Sequence, residues 1–280
     1  MRKAALSLLA VLAAPSLAAA GEFELTAYGG YTFPFYSQTF QYDPGPVTVP
    51  IPGITVEQGG TFEIKTSGDL AFGGAFAFYV TGGFGFEVRY DHADMKVETQ
   101  SSFYNVRVGL PAPLDPVVAN IVLSGGSADL KAATPFSLNL KLRTGGSVRL
   151  MASGGASHLG DLQFTVQQSV GLGVVGFDFV ENNVKIGTIG VQATSPAGTG
   201  GGWGGNLGLG LQISLGERAA LVFEGRGFYF PKRTVEWAPI LDQPLTDFEK
   251  ALLARVQERL PPVEFRPWWV QASVGLAIRF

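Results

Sequence analysis

The feature that most constrains this chain is a side-chain period of two. In the segment TPFSLNLKLR, Phe136, Leu138, Leu140 and Leu142 alternate with Ser137, Asn139, Lys141 and Arg143. Successive side chains of a strand point to opposite faces, so this pattern describes a strand with one apolar and one polar side. In the first such stretch, 22–33, Phe23, Leu25, Ala27, Tyr31 and Phe33 share one face, and Glu24, Thr26, Tyr28 and Thr32 share the other. Further stretches fall at 69–80, 84–96, 148–157, on both sides of Gly216-Glu217, and in the closing WWVQASVGLAIRF. Eight strands result, most of them long enough to cross a bilayer, which takes about 9 to 11 residues. The uncharged run 70–86 is read as two of these strands and a turn rather than as a membrane helix. Its glycines each cost a helix about 1 kcal/mol, and its phenylalanines keep the period of two.

The connections sort by length. Those at 81–83, 144–146 and 216–218 are short, whereas 34–68, 97–127, 159–202 and 231–266 are long. Short turns at one rim and long loops at the other are characteristic of an outer-membrane barrel, and a soluble sandwich has no reason to sort its loops this way. The fold expected is therefore all-β, a transmembrane antiparallel up-and-down β-barrel of eight strands with short periplasmic turns and long extracellular loops. Ten strands result instead if GLGVVGFDFVENNVKIGTIGVQAT forms a hairpin at Asn182-Asn183 that enters the membrane. The first loop is punctuated by Pro and Gly and suits an external hairpin turning at Pro52-Gly53.

Export is legible at the start. Arg2 and Lys3 precede an apolar run from Ala4 to Ala14 and small residues up to Ala20, the pattern of a signal peptide spanning 1–20 and cleaved near Ala20. That leaves 21–280 as one barrel domain. Losing Arg2 and Lys3 leaves 18 basic residues against 23 acidic ones, so the formal charge moves from -3 to -5 and no basic surface points to nucleic acid. With no cysteine, a lipoprotein anchor and a disulfide framework are both excluded.

The last residue is Phe280, preceded at every second position by Ile278, Leu276, Val274, Ala272 and Val270. This resembles the C-terminal assembly signal of bacterial outer-membrane proteins. The chain from 21 to 280 is similar to the small-barrel superfamily of the OmpA transmembrane domain, OmpX and OmpW, notably in FELTAYGGYTF, GFGFEVRY and GGNLGLGLQISLGERAALVFEGRGFY. The resemblance implies insertion into the cell outer membrane by the barrel assembly machinery after periplasmic chaperoning, with outer-membrane lipids as surroundings. It specifies an architecture and no activity. Nothing follows Phe280, so no peptidoglycan-binding domain is expected.

Chemistry is sparse. Ser157 and His158 are adjacent and so face opposite ways on a strand, while His92 and Asp94 share a face without a nucleophile or third ligand beside them. No enzyme activity, cofactor or metal is expected. The inward residues Glu24, Glu87, Arg89, Asp91, Lys141, Arg143, Arg149, Glu224 and Arg226 mix both signs. An eight-stranded interior is just wide enough for side chains to fill, so these charges are expected to neutralise one another in a plugged lumen. In the fourth loop, Thr246 and Glu249 form a capping box, and Phe248, Leu252, Val256 and Leu260 fall on one helical face before Pro261-Pro262. That helix is expected to pack as a lid. The functional expectation is a structural or surface-recognition role through the loops. The alternative is a conduit for small hydrophobic molecules, suggested by Val170, Leu172, Val174, Val175 and Phe177. A lipid-modifying enzyme is the least favoured class.

Overall fold

The computed structural model describes the chain from residue 21 onward, apart from 43–46, 49–54, 101, 110, 112, 114–115, 124–126, 131, 161, 179–182, 195–200, 240–253 and 255–257. The leader 1–20, the turn residues Pro52, Gly53 and Asn182, and the helix positions Phe248, Leu252 and Val256 lie outside the described residues.

In chain order the strands are β1 (Glu22–Pro34), β2 (Ser37–Tyr42), β3 (Val47–Thr48), β4 (Thr55–Tyr79), β5 (Phe84–Thr99) and β6 (Ser102–Gly109). There follow β7 (Val117–Leu123), β8 (Ser127–Leu130), β9 (Pro135–Arg143), β10 (Val148–Leu159), β11 (Phe164–Asp178) and β12 (Asn183–Thr194). The last are β13 (Gly202–Ser214), β14 (Ala219–Tyr229), β15 (Arg233–Val235), β16 (Trp237–Pro239), β17 (Val263–Phe265) and β18 (Trp268–Arg279).

Eight of these close on themselves in the order β1-β18-β14-β13-β10-β9-β5-β4, with β4 pairing back to β1 and every neighbour antiparallel. The ends of the chain meet at the seam, where Phe280 N donates to Phe23 O at 3.0 Å. The register can be followed round the wall from Pro34 through Trp269, Phe228, Asn206, Gly155, Asn139, Glu87 and Ala77. It returns to β1 at Glu24, ten residues below its start at Pro34. A stagger of that kind is what closure requires, and it tilts the strands by about 35 to 45° from the barrel axis.

The short turns are tight for local reasons. Gly146 and Gly216 adopt φ of +101° and +149°, and the hydroxyl of Thr144 accepts from Leu150 N at 2.9 Å. The long connections are where expectation and structure differ. They form more β-structure rather than irregular loops. β4 begins at Thr55, well before the Asp69 anticipated from the sequence, and β5 runs on to Thr99. The upper part of β4 pairs with β2 and β3 on one side and with β6 on the other, and β7 pairs with β6. The register of β4 with β5 shifts between Gly68 and Ala71, where Thr32 Oγ1 donates to Asp94 O at 2.7 Å and accepts from Asp69 N at 3.1 Å. A side chain at Gly68 would overlap Thr32 O. The β11–β12 hairpin joins β8 and β16 in a separate four-stranded sheet, so it does not enter the wall and the barrel has eight strands.

Candidate functional site: the barrel interior and its cap

Each barrel strand turns its apolar side chains outward. Leu207 and Leu209 of β13 are 65% and 64% exposed, and Phe86, Leu140 and Leu276 are among many others left uncovered. Towards the long-connection rim this surface becomes aromatic, with Phe33, Tyr90, Trp203, Tyr229 and Trp268 all exposed; Phe280 lies at the other end. The inward side chains are polar in the middle of the barrel and buried.

Ten charged groups meet there. Lys141 Nζ lies 2.9 Å from Glu87 Oε2 and 3.3 Å from Glu24 Oε1. Arg226 Nη2 reaches Glu87 at 3.0 Å and Glu224 at 2.5 Å. Arg89 binds Asp91 at 2.9 Å and Glu224 at 2.6 Å, with its guanidinium 4.0 Å from the Tyr28 ring centre. Nearer the short turns Arg143 pairs with Glu22 at 2.5 Å and stacks over Tyr79, and Arg279 lies 3.4 Å from both Glu22 and Glu24. Five carboxylates thus face five cations. Amides and hydroxyls complete the set: Asn139 donates to Glu87, Gln212 to Glu24, Tyr28 and Gln271 to Asp91, and Arg226 to Asn206 and Ser153. Burying a charge is tolerable only with such pairing and hydrogen bonding. Gly208 makes room for the cluster, since a methyl at that position would overlap Glu224 Oε1 and Ser153 Oγ. Among the described residues, Tyr79 Oη, Gln212 Oε1, Trp269 Nε1 and Gln271 Oε1 are buried without a hydrogen-bond partner.

Of the nine inward charges read from the sequence, eight meet in this network. Arg149 does not. It sits at the last inward position before a short turn, is only partly buried, and donates from Nε to Gly146 O at 3.0 Å. Glu22 and Arg279 belong to the network and were missed, although each keeps the parity of inward neighbours, Glu24 and Ala277.

Above the charges the interior turns apolar. Trp269 is stacked between Phe228 at 4.9 Å and Phe230 at 5.6 Å, directly over the level of Arg226 and Gln271. These rings continue into a core built by the long connections, where Phe40 stacks on Phe62 at 4.7 Å and Trp237 meets both edge-on. Tyr36, Ile64, Val97, Leu130, Val263 and Phe265 belong to the same cluster. Burial pushes the Tyr36 hydroxyl above its ordinary range, and the Glu264 charge adds to that. Leu260, one of the four residues assigned to a helical face, is buried in this cap, and Ala254, Glu258 and Arg259 before it are helical. The backbone of β11 carries Val170, Leu172, Val174, Val175 and Phe177, whose side chains lie outside the described residues.

The two histidines are outside the lumen. His92 stacks on Phe72 at 4.6 Å and lies 3.2 Å from Asp94, whereas His158 faces outward against Trp203 while Ser157 points inward to Ser137.

A closed eight-stranded antiparallel barrel, apolar outside and polar within, defines an architectural class shared with small outer-membrane barrels. The chain is similar in structure to the outer membrane protein OprG from Pseudomonas aeruginosa, at 14% identity and a TM-score of 0.43 over 93% of this chain and 96% of that one. It is also similar to the outer membrane protease OmpT from Escherichia coli, at 7% identity and a TM-score of 0.40 over 93% and 97%. The N-terminal β-barrel domain of OprF from Pseudomonas aeruginosa matches at 11% identity, with a TM-score of 0.34 over 93% and 99%. No family model and no curated protein matches the chain. At identities this low no side-chain role transfers.

Proposed function

We propose that this chain is an integral outer-membrane β-barrel whose lumen is closed and whose role is played by the β-structure above its long-connection rim. The observation that carries this is the inversion of its surface. Leucines, phenylalanines and tyrosines stand uncovered all round the wall, while arginines, a lysine and carboxylates are buried inside. Water would penalise such an outside, at roughly 25 cal/mol for each Å² of apolar surface, whereas hydrocarbon does not. The lipid-facing band, the aromatic residues near the rim and a polar interior are together the physical requirements of a transmembrane barrel. The protein should fractionate with outer membranes and run at different apparent mass before and after boiling. Recovery as a soluble species would end the reading. A conduit for small hydrophobic molecules remains the alternative, favoured by the apolar upper interior, but Phe228, Phe230 and Trp269 fill the space such a solute would use.

A further inference from the structure

β7 is the outermost strand of a sheet that rises from the long-connection rim. β4 continues over residues 55–69 beyond its last pairing with β1 at Leu70. That is about 50 Å of strand at 3.3 Å per residue. β6 pairs with the far end of this extension, from Thr55 opposite Gly109 to Thr61 opposite Phe103, and β7 pairs with β6 along its whole length. Among the described residues β7 pairs with no other strand, so one row of its backbone N–H and C=O groups has no strand partner among them. Proteins ordinarily blunt such an edge with charge, proline, a bulge or a very short strand. The strand Val117–Leu123 reads VVANIVL, has neither charge nor proline, and keeps an unbroken register with β6.

The same strand is self-complementary about Asn120. Laid antiparallel against a copy of itself with the two Asn120 residues opposite, it sets Val118 against Val122, Ala119 against Ile121 and Val117 against Leu123. Every flanking pair is apolar, and no like charges meet. Asn120 already stands opposite Asn105 of β6, so the join would continue a row of four asparagines across the two sheets. In-register asparagine rows favour stacked strands. An unrelated peptide would not require this symmetry, whereas a second copy does.

We propose that β7 is a homotypic docking edge, through which two copies of this chain join their raised sheets by antiparallel strand addition. The proposal rests on the outer-membrane reading above. Its geometry also fixes where the second copy stands. Neighbouring antiparallel strands are related by a two-fold axis perpendicular to their sheet. Because this sheet continues the barrel wall, that axis lies in the plane of the membrane and turns the second molecule upside down. The two copies therefore belong to two facing membranes, and the contact is one between cells or vesicles.

The chain has no cysteine, which makes the symmetry directly testable in protein refolded into phospholipid vesicles. Opposed residues in an antiparallel pair have Cα atoms about 4.5 to 5.5 Å apart, within disulfide range. The Asn120→Cys variant should form a disulfide-linked dimer on mild oxidation when two separately loaded vesicle populations are mixed. Val117→Cys alone and Leu123→Cys alone should give about tenfold less, because each would lie far from its own copy, yet mixing the two should restore the product. Replacing both Ala119 and Ile121 by Lys should abolish clustering of vesicles bearing the otherwise unmodified protein. Equal yields from all three single variants would overturn the proposal, as would products that form only within one vesicle. Boiling-dependent migration is read on every sample. Variants that insert but do not pair refute the docking edge alone, while failure of the unmodified protein to insert refutes the membrane reading with it.

Discussion

Glu87 is the residue on which the interior turns. It accepts from Asn139, pairs with Lys141 and Arg226, and is almost wholly buried. Replacing it by Gln leaves two cations short of a partner in a low-dielectric interior, and breaking a buried pair this way costs about 3 to 5 kcal/mol. The Glu87→Gln barrel should lose that much stability in urea unfolding. Glu22→Gln is the comparison, because Glu22 is a third exposed and a solvated pair of this kind is worth about 1 kcal/mol or less. Equal losses from the two would mean that burial does not set the strength of the network. Most of these charges were legible in the sequence, since a strict period of two assigns each to a face. Glu22 and Arg279 escaped because they stand at strand ends, where too few neighbours remain to define a pattern. Arg149 was assigned to the lumen by parity, yet parity says nothing of height along the strand. At the rim its long side chain reaches the carbonyl of its own turn instead.

The barrel strands and their short turns could be read at the scale of elements, but the extension of β4 could not. Phe62 and Ile64 alternate with Glu63 and Lys65 just as the barrel positions do, so the signal was present. The period of two does not say where a crossing strand stops, and a bilayer needs only about 9 to 11 residues of it. Those two side chains bury in the cap, whose centre is Phe40 between Phe62 and Trp237. Phe40→Ala should cost the cap about 3 to 5 kcal/mol and open the long connections to protease, while boiling-dependent migration of the barrel is kept. Unchanged protection would mean that the connections are held by their strand pairing alone. The seam gives the companion case. Phe280 exchanges backbone hydrogen bonds with Phe23, at 3.0 and 3.4 Å, and leaves its ring 73% exposed on the outer surface. We propose that Val274, Leu276, Ile278 and Phe280 act as an assembly signal read by the barrel assembly machinery. Deleting Phe280 should then lower insertion in cells far more than it lowers refolding into detergent. Equal effects in both would assign Phe280 to the seam only.

At the scale of the whole molecule, we propose that the closed lumen is held by two seals in series along one axis. The lower is a network of five carboxylates and five cations, and the upper is the aromatic stack of Phe228, Phe230 and Trp269 continued by the cap. Eight strands leave an interior only wide enough for side chains, whereas aqueous channels take about 16. The inward charges of the lower level were legible in the sequence. The upper one was hidden because its residues come from seven separate segments that only the closed barrel brings together. Ionic conductance in planar bilayers should therefore be undetectable. The serial arrangement makes the stronger claim. Glu87→Gln with Glu224→Gln should weaken the barrel without opening it, because the rings above still exclude water and ions. Trp269→Ala alone should not conduct either, since the charges below remain paired. Only the triple substitution, which breaches both levels, should pass current. Steady single-channel conductance from the unmodified protein would overturn the closed lumen, and conductance from the double variant alone would show that the upper rings do not seal.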